Sequence, residues 1–144
     1  MNGSATRTAL LVLLLFGSLS AFAGAVMAIV FKGAGVPLEY LQGSPFDSFM
    51  VPGIILGVVV GGTQGLAAAL LRAHHPSSML WSAVAGFGMI IWVFVELAII
   101  LEYSFLQAIY FGLGTLELVL VFFMLGIAKG QGPTSSRALP PGTM

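Results

Sequence analysis

Glu117 is the one charge in the apolar run from Tyr103 to Ala128. A helix through that run sets its carboxyl near mid-bilayer, where an ionised acid costs at least about 2.5–3.5 kcal/mol on insertion scales. The side chain must therefore face protein or water. Its helix offers such a face: Gln107, Tyr110, Gly114 and Glu117 recur at spacings of three and four, one polar-or-small stripe. Gln64, in the second apolar run, falls at similar depth, with Gly61 one turn away to admit a close approach. Matched depth predicts a Gln64–Glu117 hydrogen bond. Glu96 lies about six residues from the external end of the third run, with Trp92 a turn before it and Tyr103 two turns after. Two carboxyls in a bilayer suit one chemistry above others, the relay of a proton or cation. Along a helical hairpin their depths differ by about 9 Å, a gap for water to bridge. The plainer reading makes Glu96 a partly hydrated acid and Glu117 a pin between helices.

The most regular pattern is Gly53, Gly57, Gly61 and Gly65, every fourth residue, with Gly62 beside them. Such spacing lays a stripe without side chains along one face, against which another helix gains backbone contact. Gly17, Ala21 and Ala25 in the first run, and Ser82 and Gly86 in the third, offer matching small surfaces. Packing within one bundle, a homo-oligomeric contact and a pore-lining stripe all use such a face. Spacing alone does not separate them.

Other chemistries lack their residues. His74 and His75 are adjacent, so on a helix they diverge by about 100°, and no i,i+4 His pair suggests a zinc site. No His lies within the spans to ligate haem. Cysteine is absent, which removes disulfides and thiolates. Phosphate loops, dinucleotide fingerprints and H-E-x-x-H are missing. Ser18, Ser20 and Thr63 have no base within expected reach, and Glu96 and Glu117 are not set as a glycosidase pair. With zero net charge and no basic run, nothing neutralises a nucleic-acid backbone. The expectation is no enzyme, no cofactor, no metal and no nucleic-acid partner.

The elements holding these residues follow from composition. Charged residues are 7% of the 144, against about 25% in soluble domains, while 58% are apolar and mean hydropathy is +1.06. Too few charges remain to clothe a water-facing surface, and disorder requires the opposite balance. Charges punctuate four stretches of the roughly 20 residues that a spanning helix needs. Unbroken apolarity without alternation speaks against barrel strands. We expect an all-α bundle of four transmembrane helices near 8–31, 51–71, 78–101 and 105–127, forming a single membrane domain over 1–128.

Arg7, Arg72, Lys129 and Arg137 fall on one side with His74 and His75; Lys32 falls on the other with Glu39, Asp47 and Glu102. The positive-inside bias places both termini in the cytoplasm, with Trp81 and Tyr103 near the interfaces. Arg7, the apolar core and Ala21-Phe22-Ala23 also fit a cleaved signal peptide. The stretch runs on through Val26, Ile29 and Phe31, longer than an ordinary signal core, which favours a retained helix.

Capping residues set the boundaries. Ser44-Pro45-Phe46-Asp47 predicts a helix start near Pro45 and a bend at Pro52. Ser104-Phe105-Leu106-Gln107 reads as a capping box that makes the last connection tight. Within the external loop 32–50, Pro37 to Gln42 predicts one or two helical turns ended by Gly43, with Leu38 and Leu41 dipping toward lipid. A surface connector is the other reading of that segment. Residues 129–144 predict a disordered cytoplasmic tail.

The stretch Pro37-Leu38-Glu39-Tyr40-Leu41, then Gly43 to Ser48, then Pro52-Gly53, resembles small bacterial four-helix integral membrane proteins. That resemblance implies a multi-pass protein of the plasma (inner) membrane and brings no catalytic or binding residue. The chain is also similar in size and helix count to small multidrug transporters. Their essential Glu lies in the first helix, which has no acid here, so no role is carried over.

The resulting expectation is an accessory or assembly component that packs through its glycine-faced helix, surrounded by membrane lipid, with a second copy or a membrane-protein partner as its candidate partners. The runner-up is a small proton- or cation-coupled carrier using Glu117 and Glu96. An enzyme acting on lipid or quinone is the third.

Overall fold

A computed structural model describes residues 2–100 and 102–130. The four apolar runs become four helices: α1 Gly3–Ile29, α2 Met50–Arg72, α3 Ser78–Ile100 and α4 Phe105–Gly130. All four are long and apolar enough to cross a membrane, which makes this a multi-pass membrane protein. There is no strand among the described residues. α1 and α3 each lie against both α2 and α4, closing a ring of four.

The helix ends differ from expectation for local reasons. α1 starts five residues early, because the Asn2 side chain accepts from the Ala5 N–H at 3.0 Å. Arg7 lies inside that helix, where its guanidinium donates to the Leu71 carbonyl at the end of α2. That carbonyl also accepts from the His74 N–H at 3.2 Å, and a cation at this end of α2 interacts favourably with the helix dipole. Ala21-Phe22-Ala23 is mid-helix, with Ala21 buried. α1 ends at Ile29 rather than Phe31, in a turn where the Gly33 N–H donates to the Met27 carbonyl at 3.2 Å. Gly33 has φ +89°, and a Cβ there would meet the buried Phe49 ring at 2.6 Å, so glycine is required.

α2 starts at Met50, not near Pro45. The Ser44 hydroxyl donates to the Leu41 carbonyl at 2.8 Å and accepts from the Phe46 N–H at 3.2 Å, closing a local turn instead of a cap. Pro52 is consequently the third helical residue. Its missing N–H is one that has no intrahelical acceptor, so the expected bend has no cause. Leu38–Leu41 forms a 3₁₀ turn followed by Gly43 at φ +87°. Leu38 is exposed, whereas Leu41 is buried beneath the turn rather than dipping outward. Lys129 belongs to the last turn of α4, and the remainder of the expected tail lies outside the described residues.

The α3–α4 connection follows the capping reading. The Gln107 side chain accepts from the Ser104 N–H at 2.8 Å, and the Ser104 hydroxyl accepts from the Leu106 N–H at 3.3 Å. Gln107→Ala is expected to cost about 1 kcal/mol, as loss of a helix cap does. Thermal unfolding in mild detergent checks it, and an unchanged midpoint would mean that the box contributes nothing.

Candidate functional site

The glycine stripe is taken up inside the bundle. A Cβ on Gly53 would lie 2.8 Å from the Ala28 Cβ, one on Gly57 2.9 Å from the Ala25 Cβ, and one on Gly65 3.0 Å from the Ser18 hydroxyl. Gly61 faces the Phe22 ring. All four therefore meet α1 of the same chain. A second close crossing, not anticipated, joins α3 to α4: a Cβ on Gly114 would lie 2.9 Å from the Gly86 carbonyl oxygen.

Tight contact with α1 coincides with a wide turn. Residues Leu56–Gly61 of α2 form a π-helix. Hydroxyls engage carbonyls around it: Ser18 donates to Gly61 at 3.0 Å from α1, and Thr63 to Val59 at 2.6 Å from one turn on. These hydroxyls, weighed above as nucleophiles, serve as backbone partners. Wide turns of this kind recur at functional sites.

One turn beyond lies Gln64. Its Nε2 donates to Glu117 Oε2 at 2.9 Å and to the Ala85 carbonyl at 3.4 Å, joining α2, α3 and α4. α1 reaches the pair at Gly17, where a Cβ would stand 2.8 Å from Gln64 Oε1. Both side chains are fully buried. Yet Gln64 Oε1, Glu117 Oε1 and the buried Ser82 hydroxyl have no hydrogen-bond partner among the described protein groups. Apolar layers close the pair off on both sides. Ala21, Val60, Met89 and Leu113 pack toward the 30–49 loop. Leu10, Leu14, Ala67, Ala68, Leu71, Ala85, Leu120 and Val121 pack toward the N-terminal end of α1.

Above the first layer opens a cavity of about 440 Å³. Its floor is Ala21, Leu56 and Met89; its walls carry Trp92, Glu96, Gln107 and Tyr110; Tyr40, Glu102 and Tyr103 stand toward the loop and the α3–α4 connection. The stripe read on α4 thus faces inward, Gln107 and Tyr110 to the cavity and Glu117 below it. Trp92, Glu96 and Tyr103 are brought together as their spacing implied. The Trp92 indole N–H neighbours the Glu96 carboxyl without making a hydrogen bond of good geometry. Glu117 does not line the cavity.

The histidines are drawn into the α2–α3 turn. His74 has φ +56°, and His75 Nδ1 lies 2.6 Å from the Ser77 hydroxyl and accepts from the Ser77 N–H. No group of three metal-ligating side chains occurs among the described residues. The wide turn and the cavity were missed in sequence, and Gly57 with Gly61-Gly62-Thr63 was the available signal for the former. Comparison with family models, curated proteins and solved structures finds no match to this chain.

Proposed function

We propose that the chain is a small carrier, coupled to proton or cation movement through Glu117, whose cavity opens to the outside while both termini lie in the cytoplasm. What supports this reading above all is the fully buried Gln64–Glu117 pair, closed off by apolar layers and placed directly beneath an open cavity. A chain selected for packing alone would be served as well or better by apolar residues there. Intramembrane acids that persist despite their cost mark ion and proton paths. The wide turn of α2, with Leu56 in the cavity floor, gives the layer between cavity and acid a place to yield. The glycine face packs against α1 of the same chain, so it does not itself argue for a partner.

The test is solute-evoked current from proteoliposomes on a solid support, with pulses of inorganic cations, organic ammonium ions, amino acids and sugars. At least one class is expected to evoke a current, and Glu117→Gln, which keeps an amide in hydrogen-bonding reach of Gln64, is expected to reduce it at least about tenfold. Absence of any solute-evoked current, or equal current from the variant, would refute the carrier reading.

A further inference from the structure

We infer that the cavity binds a small organic cation of the substituted-ammonium class, which deepens the carrier reading and rests on it for the side from which the cation enters. Size, sign and wall chemistry agree. A volume of about 440 Å³ falls in the range of small-molecule sites. Glu96 and Glu102 line it, and among the described residues no Lys, Arg or His does, so the field inside favours positive charge. Four aromatic side chains come from four places in the chain: Tyr40 from the 3₁₀ turn, Trp92 from α3, Tyr103 from the connection and Tyr110 from α4. Aromatic faces attract a cation lying within about 6 Å, and Trp does so best.

The same walls argue against a metal ion. Calcium takes about six to eight oxygen ligands, and magnesium parts reluctantly with its water. Glu96, Glu102 and Gln107 do supply oxygens, but no group of three metal-ligating side chains gathers among the described residues, and Ala21, Leu56 and Met89 in the floor offer no oxygen side chain. A substituted ammonium ion, apolar on its surface and weakly hydrated, loses little on touching such a floor. Glu96, half-buried on the wall beside Trp92, provides the counter-charge at depth.

Trp81 and Trp92 are the two tryptophans, so Trp81→Phe leaves Trp92 as a fluorescent reporter inside the cavity. The probe is benzyltrimethylammonium, and its control is neopentylbenzene, the uncharged molecule of the same shape. Titrations use nanodiscs of digalactosyldiacylglycerol, which carries neither a net charge nor an ammonium group, so that the surface does not concentrate the cation. The cation is expected to change Trp92 emission saturably and to bind at least about tenfold tighter than the control, about 1.4 kcal/mol. Glu96→Gln is expected to remove a similar factor. Equal binding of the two probes, or no saturable change, overturns the inference even where Glu96→Gln fails to fold. A folded Glu96→Gln variant with unchanged cation affinity overturns it as well. Repeating the titration in phosphatidylcholine identifies the source: weaker probe binding there means that a lipid headgroup competes, and unchanged binding means a free solute. Ammonium binding without any solute-evoked current would remove the carrier reading and keep this one. Currents evoked by other solutes, with no ammonium binding, would do the reverse.

Discussion

Gly57→Leu is expected to destabilise the bundle by about 3 kcal/mol, the upper end for forcing extra atoms into a packed interior. Even the first added carbon would stand 2.9 Å from the Ala25 Cβ. The neighbouring helix has little freedom to retreat. Ser18 holds it to the Gly61 carbonyl, Arg7 holds it to the Leu71 carbonyl, and Gly53 repeats the close contact one turn away. Gly62 provides the control. A Cβ there would meet only the Gly57 carbonyl oxygen, at 4.0 Å. Gly62→Ala is therefore expected to be neutral or to stabilise by up to about 1 kcal/mol through helix propensity. Thermal unfolding in mild detergent reads both. If the stripe served contact between chains instead, Gly57→Leu would change the size of the particle and leave the monomer's unfolding untouched.

Gln64→Leu is the second large effect, at about 1–3 kcal/mol, because it leaves Glu117 with a buried carboxyl and no donor. Glu117→Leu leaves the Gln64 amide with only the long contact to Ala85. The double variant replaces both by apolar groups of similar volume and is expected to recover most of the loss. A coupling of at least about 1 kcal/mol is the expected signature of direct contact. Hydrogen bonds between membrane helices average about 0.6 kcal/mol in such cycles, because the separated helices find other partners. The Gln64–Glu117 pair should exceed that average, since the apolar layers around it leave few alternatives. Strictly additive losses would mean that the two side chains do not act together.

The long-range pairing of Gln64 with Glu117 was legible because depth in a bilayer is a coordinate that sequence supplies directly. Counting residues from the ends of two apolar runs places two polar groups at one level, and neither tolerates lipid. The α3–α4 connection was legible because Ser104 and Gln107 meet their partners within three residues. What failed was local choice among competing partners. Ser44 was read as a helix cap, yet its hydroxyl turns back to the Leu41 carbonyl, and the helix waits until Met50. Arg7 was read as a boundary, although a basic side chain in a helix can end on the last carbonyls of a neighbour. The wide turn of α2 depends on how Ser18 and Phe22 of another helix fit Gly57 to Gly61, which no periodicity within α2 encodes. The cavity needed all four helices and Tyr40 at once. Fourfold glycine spacing showed that something packs closely, and only the three-dimensional arrangement identified it as α1.

Cysteine accessibility offers the most direct measurement, since the chain has no cysteine of its own. Ser20 lines the cavity, whereas Ser82 is fully buried below the first apolar layer. In right-side-out vesicles, a membrane-impermeant maleimide added outside should modify Ser20→Cys readily and leave Ser82→Cys unreacted. Modification of Ser20→Cys only from the inside, or of Ser82→Cys as fast as Ser20→Cys, would contradict an outward cavity resting on a sealed acid.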